Sequence, residues 1–379
     1  MESKQANNSL FNQMKYWRED LLAGFLVFIL ALPLSMGIAA ASDFPPIYGL
    51  VTAMVGGILV GLFAGSPLTI KGPAAGLIVI VAAAVSDFGG GDMGWKLTLG
   101  AIVVAGAIQV LFGFLKLGKM SVYFPHDAVY GMLAAIGVII ISKQFHVLLG
   151  QNPNRSWLDS TLPEAIGKKP ISEPLELIEI IPRSIAQIEL NAFWVGLVTL
   201  VIVFAWAQLK ASWAKKVPGA IVALLVSIVF AKWIGLGESL YVKFDKNLGD
   251  ILYLNVDFGG ISQLGTFLKH VMMFALVGTL ESMLTVNAID TRDPWKRKSN
   301  VDKDIKALGL GNMVAGLLGG LPMISEVALS SANISNGART QWANIYHGLF
   351  ILLFMLIATS VSGFIPKPAL AALLFFLAY

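Results

Sequence analysis

The sequence predicts an all-α polytopic membrane protein, built as an inverted repeat in which two half-helices meet at the midplane. Three observations support this fold class. Hydrophobic residues make up 56% of the chain and charged residues only 13%, and the mean hydropathy is +0.74, which is too apolar for a soluble domain. Apolar runs recur along the whole chain. Two glycine-rich runs that stop at a proline, 61–67 and 316–322, occupy corresponding places in the two halves.

The apolar runs divide the chain into twelve candidate spans. Crossing roughly 30 Å of hydrocarbon takes about 20 helical residues. The runs lie at 21–41, 47–66, 74–87, 96–115, 125–142, 191–209, 217–234, 267–288, 306–321, 325–336, 341–363 and from 368 to the last residue, Tyr379. The runs 74–87 and 325–336 are too short to cross as helix alone. We expect extended stretches at 67–73 and 321–325 to complete them, covered by protein or lining a wet cavity.

The first run predicts the orientation of the chain. It is too long for a cleavable signal peptide and holds Pro33 in mid-span, so we expect the N-terminus to stay in the cytoplasm and the protein to lie in the plasma (inner) membrane. Threading the spans from there places five basic clusters inside, with more than half of the 27 Lys and Arg residues. The clusters are Lys4/Lys15/Arg18, Lys116/Lys119, Lys210/Lys215/Lys216, the stretch 292–306 and Arg339.

Composition also excludes several classes of function. The net charge of +4 comes from the basic residues that set the membrane topology. The sequence has no basic stretch interleaved with aromatic residues of the kind that would indicate a nucleic-acid partner. The chain has no cysteine, which excludes thiolate metal sites and Cys nucleophiles. Its four histidines are far apart. The sequence contains no phosphate-binding glycine loop of the kind that would indicate an ATP-driven pump. We therefore expect neither an enzyme nor a bound cofactor, beyond Na⁺ or H⁺ as a coupling ion.

The two short spans predict an anion site. They run in opposite directions, so their helical N-termini should meet near the midplane, where their dipoles add and backbone N–H groups are free. The candidate anion-binding residues are Gly72, Pro73, Ala74, Ala75, Gly76, Ser325, Glu326, Val327 and Ala328, with Ser35 of the first span. Small side chains there let a ligand approach the backbone. The blander interpretation, glycine and proline serving only helix packing, does not explain the repeat.

Glu281 and Thr285 are the candidate coupling-ion residues. Glu281 lies inside an apolar span, where an ionisable group is costly and functional by default, and Thr285 lies on the same helical face one turn later. A carboxylate and a hydroxyl could ligate Na⁺, and a carboxylate alone could carry a proton. The alternative is a structural hydrogen bond to a neighbouring helix.

Lys71 and Glu326 occupy equivalent positions in the two repeats. We expect them to flank the anion site from opposite sides. Two interpretations stay open: the two side chains form a midplane ion pair, or Lys71 attracts the anion directly. Pairing is the simpler of the two.

Five motifs resemble the SulP (sulfate permease) family of anion transporters, relatives of prestin and pendrin. The similar segments are 31–37 with 45–50, 72–76, 123–126, 278–282 and 337–340. The resemblance runs from about residue 18 to the end of the chain. It implies seven plus seven inverted-repeat helices, divided into a substrate-carrying core and a gate that move in an elevator-like way, often in a homodimer.

Mapped on this chain, the resemblance implies four segments. Residues 1–120 hold core helices 1–4, 121–240 gate helices 5–7, 241–363 core helices 8–11, and 364–379 the start of an incomplete second gate segment. On this expectation the last two helices and the C-terminal STAS domain of the family are missing from the chain.

The chain also departs from the family pattern. Leu34 stands where many relatives have Gln, and Ile38 where many have an aromatic residue. Leu329 stands where relatives commonly have Arg, and Glu326 where they often have Ser. These exchanges remove a positive charge and add a negative one, which favours cation-coupled symport over simple anion exchange.

The sequence thus predicts a secondary active transporter of a small inorganic anion of the sulfate or bicarbonate type, coupled to Na⁺ or H⁺. Its expected partners are the anion, the lipid bilayer and a second copy of the chain. Alternatives are a nucleobase:proton symporter of the same architecture, a dicarboxylate transporter, and a motor or channel-like protein.

Overall fold

The computed structural model describes residues 13–119, 126–153, 157, 160–161, 171, 174–209, 217–243, 248–251, 253–357 and 363–378. Within these ranges the secondary structure comprises many helices and one pair of short strands, joined by loops and turns. Some residues of the predicted clusters and motifs lie outside the described residues, namely Lys4, 123–125, Lys210, Lys215, Lys216 and Tyr379.

The first part of the chain alternates long helices with one short strand. Its helices are α1 (Trp17–Ala41), α2 (Ile47–Val55), α3 (Gly61–Phe63), α4 (Ile78–Asp87) and α5 (Gly91–Phe114). A π-helical turn over Gly56–Val60 joins α2 to α3. Strand β1 (Ile70–Pro73) follows α3, and a 3-10 turn over Ala75–Leu77 leads into α4.

The middle and the last part continue in the same way. The middle helices are α6 (His126–Leu148), α7 (Pro174–Glu179), α8 (Ile181–Ala186), α9 (Leu190–Gln208), α10 (Gly219–Trp233) and α11 (Leu248–Ile251). The last part comprises α12 (Leu264–Arg292), α13 (Val301–Leu317), strand β2 (Met323–Glu326), α14 (Val327–Ser335), α15 (Trp342–Ile357) and α16 (Lys367–Ala378).

The helices confirm the apolar spans. Four helical segments are long and apolar enough to cross a membrane: Met14–Ala41, Gly91–Phe114, Leu190–Gln208 and Gly259–Arg292. Shorter apolar helices account for further predicted spans. Large apolar side chains such as Phe114 and Trp233 are exposed on the outer faces of these helices, as expected where lipid replaces water.

The long helices pack in two groups. The first group contains α1–α5 and α12–α15, and the second contains α6, α9, α10 and α16. The groups meet mainly where α1 packs against α16 and α10, and where α4 packs against α6.

In the described part of the chain, a single ion pair joins the groups: Lys143 Nζ of α6 lies 3.1 Å from both carboxylate oxygens of Asp43, in the loop after α1. Asp43 has a φ of 60°, which is uncommon for a residue other than glycine.

Strands β1 and β2 form an antiparallel ribbon at the centre of the first group. Ile70 pairs with Glu326 and Pro73 with Met323. The sequence predicted extended backbone here but not its pairing. Because β2 runs back along β1, the 3-10 turn before α4 and the first residue of α14 lie at opposite ends of a ribbon roughly 10 Å long. The half-helices thus approach from opposite sides, as predicted, with the ribbon between their N-termini.

Side chains from the surrounding helices hydrogen-bond to several backbone groups of the ribbon. The hydrogen bonds run from Ile70 N to Ser330 Oγ (2.9 Å), from Met323 N to Asn312 Oδ1 (2.6 Å) and from Ser325 N to Ser282 Oγ (3.2 Å). Unpaired strand edges are very costly at membrane depth. Helices α12, α13 and α14 therefore fix the position of the ribbon, and with it the starts of the two half-helices.

Candidate functional site

The predicted anion-binding residues differ in how accessible they are. Gly72, Pro73, Ala74, Ser325 and Glu326 are buried, Ala75 and Gly76 are partly exposed, and Val327 and Ala328 are exposed. The accessible part of the site is therefore the first turn of each half-helix. These turns carry free backbone N–H groups, because the first residues of a helix have no partner within it.

Glu281 lies beside the start of the first half-helix. Its side chain projects from the middle of α12 and is 7% exposed. The carboxylate packs so closely on Gly76 that a Cβ atom there would overlap Oε1. Oε2 has no hydrogen-bond partner among the described residues. Thr285 is buried one turn further along α12.

Glu326 places a second carboxylate at the ribbon. It is the last residue of β2, is 5% exposed, and its Oε1 has no hydrogen-bond partner in the described part of the chain. A Cβ atom on Gly72 would lie 3.5 Å from this oxygen, so the carboxylate lies against β1. Glu281 is close enough for the charges of the two carboxylates to interact.

The predicted ion pair between Lys71 and Glu326 is wrong. The register places Lys71 opposite Ser325, and successive residues of a strand point to opposite faces. Lys71 is fully buried and its Nζ donates to Asp304 Oδ2 (2.7 Å), Thr69 Oγ1 (2.7 Å) and Ser325 Oγ (2.6 Å). Its charge is therefore compensated on the face of the ribbon opposite Glu326.

Sequence reasoning missed Asp304, the acidic partner of Lys71. Its second oxygen, Oδ1, accepts from the backbone N–H groups of Gly65 and Ser66, both at 3.1 Å. Asp304 stands in the first turn of α13 among other charged residues, where it resembles a surface charge at a helix end. The available signal was its position on the buried face of α13, one and two turns before Leu308 and Gly311.

Two buried hydroxyl groups of α1 and α12 have no hydrogen-bond partner among the described residues. Ser35 is buried in α1, which packs against β1, and its Oγ has no partner in the described residues. Thr279 Oγ1 of α12 is likewise buried without a described partner. No group of three or more His, Cys, Asp or Glu that could hold a metal occurs among the described residues. The ligands that the sequence predicts for a coupling Na⁺, Glu281 and Thr285, are both buried in α12.

Comparisons with known proteins place this geometry in a family. The family model described as the sulfate permease family matches residues 17–379. The putative sulfate transporter YvdB of Bacillus subtilis is 29% identical over 375 residues, which cover 97% of this chain and 65% of that protein. The bicarbonate transporter BicA of Picosynechococcus is 24% identical over 372 residues, covering 94% of this chain and 60% of BicA. The chain thus spans less than two thirds of the length of these relatives.

Solved structures share the fold. The transmembrane domain of a cyanobacterial bicarbonate transporter BicA superposes with a TM-score of 0.84 at 23% identity, over 96% of this chain and 88% of that domain. The murine anion transporter Slc26a9 in the inward-facing state superposes with a TM-score of 0.76 at 15% identity, over 99% of this chain and 64% of that protein. The match of the family model over nearly the whole chain shows that this protein belongs to the sulfate permease family.

Proposed function

We propose that the protein is a secondary active transporter that moves a small inorganic anion, of the sulfate or bicarbonate type, across the plasma membrane together with Na⁺ or H⁺. One observation carries the proposal: an antiparallel ribbon in the middle of the helices, with the N-terminus of a half-helix at each end. Such helix starts bind anions through free N–H groups and the positive end of the helix dipole. Membership of the sulfate permease family supports the same class of substrate.

The charges around the ribbon support cation coupling. Lys71 is neutralised by Asp304, while Glu281 and Glu326 are buried near the helix starts without hydrogen-bond partners for one oxygen each in the described residues. An anion that enters beside two carboxylates meets like charge unless cations enter with it. In this proposal Glu281 binds the coupling ion, and Thr285 contributes a hydroxyl ligand when that ion is Na⁺.

The grouping of the helices supports an elevator mechanism. The ribbon and both carboxylates belong to the first group, whereas α6, α9, α10 and α16 form the second. In the proposed cycle the first group slides along the second and carries the bound anion. A cytoplasmic N-terminus and a homodimer are further parts of the proposal.

A nucleobase:proton symporter is the second candidate. The observation that favours it is the pair of buried carboxylates, because carboxylates accept hydrogen bonds from the N–H groups of a neutral ring. A dicarboxylate such as fumarate is a third candidate substrate.

Uptake into proteoliposomes distinguishes these candidates. Labelled sulfate, bicarbonate, fumarate and uracil are offered separately, each with and without an inward Na⁺ gradient or pH gradient. We expect concentrative uptake of sulfate or bicarbonate that depends on one of the gradients. Uptake of uracil alone would overturn the anion proposal and support the second candidate.

Two variants connect uptake to the site. Glu281→Gln keeps the shape of the side chain but removes the charge, so gradient-driven uptake should be lost while the protein stays folded. The matched control is Glu238→Gln, which changes an exposed glutamate outside the site and should leave uptake unchanged. Concentrative uptake at the wild-type level by Glu281→Gln would exclude the coupling role.

A further inference from the structure

A transport mechanism with a single coupling residue, Glu281, leaves the Glu326 carboxylate unexplained. It is 5% exposed, and its Oε1 has no hydrogen-bond partner among the described residues. A buried ionised carboxylate without hydrogen-bond donors is strongly destabilising. Glu326 also lies at the start of α14, where the anion is proposed to bind.

Among the described residues, no cation near the ribbon is free to neutralise Glu326. Lys71, the one buried lysine of the ribbon, donates its three N–H groups to Asp304, Thr69 and Ser325. These contacts lie on the opposite face of the strand pair, since Ser325 and Glu326 are consecutive in β2. Moving Lys71 to Glu326 would leave Asp304 buried and unpaired.

The charged groups on the elements packed against β2 lead to the same conclusion. These elements are β1, α12, α13 and α14. Strand β1 offers only Lys71, and α14 has no ionisable residue. On α12, Lys269 and His270 bind Asp87, Asp290 binds Ser299, and Arg292 binds Ser331, which leaves Glu281 facing the ribbon. On α13, Asp304 is paired with Lys71, and Asp302, Lys303 and Lys306 lie with it in the first two turns.

Two carboxylates therefore share the site with the incoming anion. Like charges that interact in a buried site favour the neutral form of one of the carboxyl groups. An anion bound at the helix starts adds a third negative charge, so both carboxylates need a cation or a proton in the loaded state.

We propose that Glu326 is a second coupling site, which takes up one proton with each transported anion in addition to the cation bound at Glu281. This inference rests on the proposed function and assigns part of its stoichiometry. A proton suits Glu326 better than Na⁺, because a metal ion needs several oxygen ligands whereas a proton needs only the carboxylate. The proton enters from one side of the membrane with the anion and leaves on the other side with it.

The test is the number of protons carried per anion. Purified protein is reconstituted in liposomes containing a pH-sensitive dye, and proton influx is measured together with uptake of labelled sulfate, bicarbonate or fumarate. Liposomes without protein correct for the equilibration of bicarbonate. Glu326→Gln should lower the count by about one proton for each anion that still enters, whatever the variant's rate of uptake. Glu238→Gln should leave the count unchanged. An unchanged count in Glu326→Gln would overturn the proposal.

A second measurement covers the case in which Glu326→Gln does not fold. In weakly buffered detergent solution, wild-type protein should take up about one proton at Glu326 when sulfate is added, beyond any taken up by Glu281. Glu281→Gln should therefore retain proton uptake on binding sulfate. Binding of sulfate to Glu281→Gln without any proton uptake would contradict the proposal.

The two levels of proposal fail in different ways. If no anion is taken up or bound, the proposed function fails and this inference fails with it. If an anion is transported concentratively but Glu326→Gln carries as many protons as wild type, the proposed function stands and only the second coupling site is wrong.

Discussion

Lys71 Nζ and Asp304 Oδ2 lie 2.7 Å apart with both side chains buried, and this ion pair connects β1 to the first turn of α13. Removing one partner of a buried pair leaves an uncompensated charge, at a cost of about 3–5 kcal/mol. Lys71→Met and Asp304→Asn should each lower the melting temperature and yield in detergent, and the double variant should recover much of the loss. The matched control is the exposed pair Lys96–Asp92 of α5, whose removal should hardly change stability.

The same double-mutant cycle tests the rejected pairing. Combining Lys71→Met with Glu326→Gln should give losses that add, because the two side chains lie on opposite faces of the ribbon. Recovery in that double variant, rather than in the one with Asp304, would contradict the contact described here.

Gly76 is predicted to be required for the position of Glu281. A Cβ at this position would overlap the Glu281 carboxylate, so Gly76→Ala should displace it and lower substrate uptake by more than about tenfold, equivalent to about 1.4 kcal/mol. Gly265→Ala is the matched control, because nothing lies within 4 Å of a Cβ at that glycine of α12. Equal uptake by the two variants would show that the Glu281 carboxylate does not need this position.

The Asp43–Lys143 pair is predicted to stabilise the observed arrangement of the two helix groups. Because the chain has no cysteine of its own, a single cysteine replacing buried Ser42 reports opening of this region through its rate of maleimide labelling. Lys143→Met should raise that rate about fivefold, corresponding to roughly 1 kcal/mol for a partly exposed pair.

Asp43→Asn should have a similar effect on labelling, since Asn tolerates the positive φ of this position. Combining it with Lys143→Met should add little, because both changes break one interaction. Labelling rates that are unaffected by either change would mean that the pair does not hold the groups together.

Asp293, directly after α12, is predicted to make stability depend on pH. Burial alone would raise the pKa of its carboxyl, but hydrogen bonds from Arg297 and from the backbone N–H groups of Trp295 and Arg297 hold that pKa below its usual value. A carboxyl with a lowered pKa in the folded state contributes stability above its unfolded pKa of about 3.9 and loses it as the pH falls through the folded pKa.

The corresponding experiment compares melting temperatures across pH. Asp293→Asn should be less stable than wild type at pH 7, by an amount on the order of 1–3 kcal/mol for hydrogen bonds to a charged group. The difference should shrink as the pH falls below about 4. Asp250→Asn, at an exposed position in α11, should show no such trend. A difference that grows towards low pH would contradict the assignment.

Much of the fold could be predicted because apolar runs of span length have few alternatives in a membrane. The two short apolar runs, with the glycine and proline residues before them, correctly indicated the half-helices and the extended backbone that precedes each of them. The strand pairing could not be predicted, because Ile70–Pro73 is only four residues long and contains both glycine and proline, which are typical of turns rather than strands.

The site was predicted less completely than the fold. Burial of Glu281 followed from its place in an apolar span, but the partner of Lys71 did not follow from the repeat. Symmetry paired Lys71 with its equivalent position, Glu326, whereas the register of the ribbon turns these side chains to opposite faces. A one-residue difference in register reverses which face a side chain occupies, and local sequence does not fix the register between segments so far apart in the chain.

The ribbon also constrains how the protein is made. Its two strands, Ile70–Pro73 and Met323–Glu326, are separated by most of the chain, so β1 is synthesised and inserted long before β2 exists. During that interval the backbone of β1 has no strand to pair with, a state that the interior of a membrane disfavours. The first half of the chain must therefore hold β1 in a temporary environment, and the candidate site becomes complete only when the second half-helix arrives during biosynthesis.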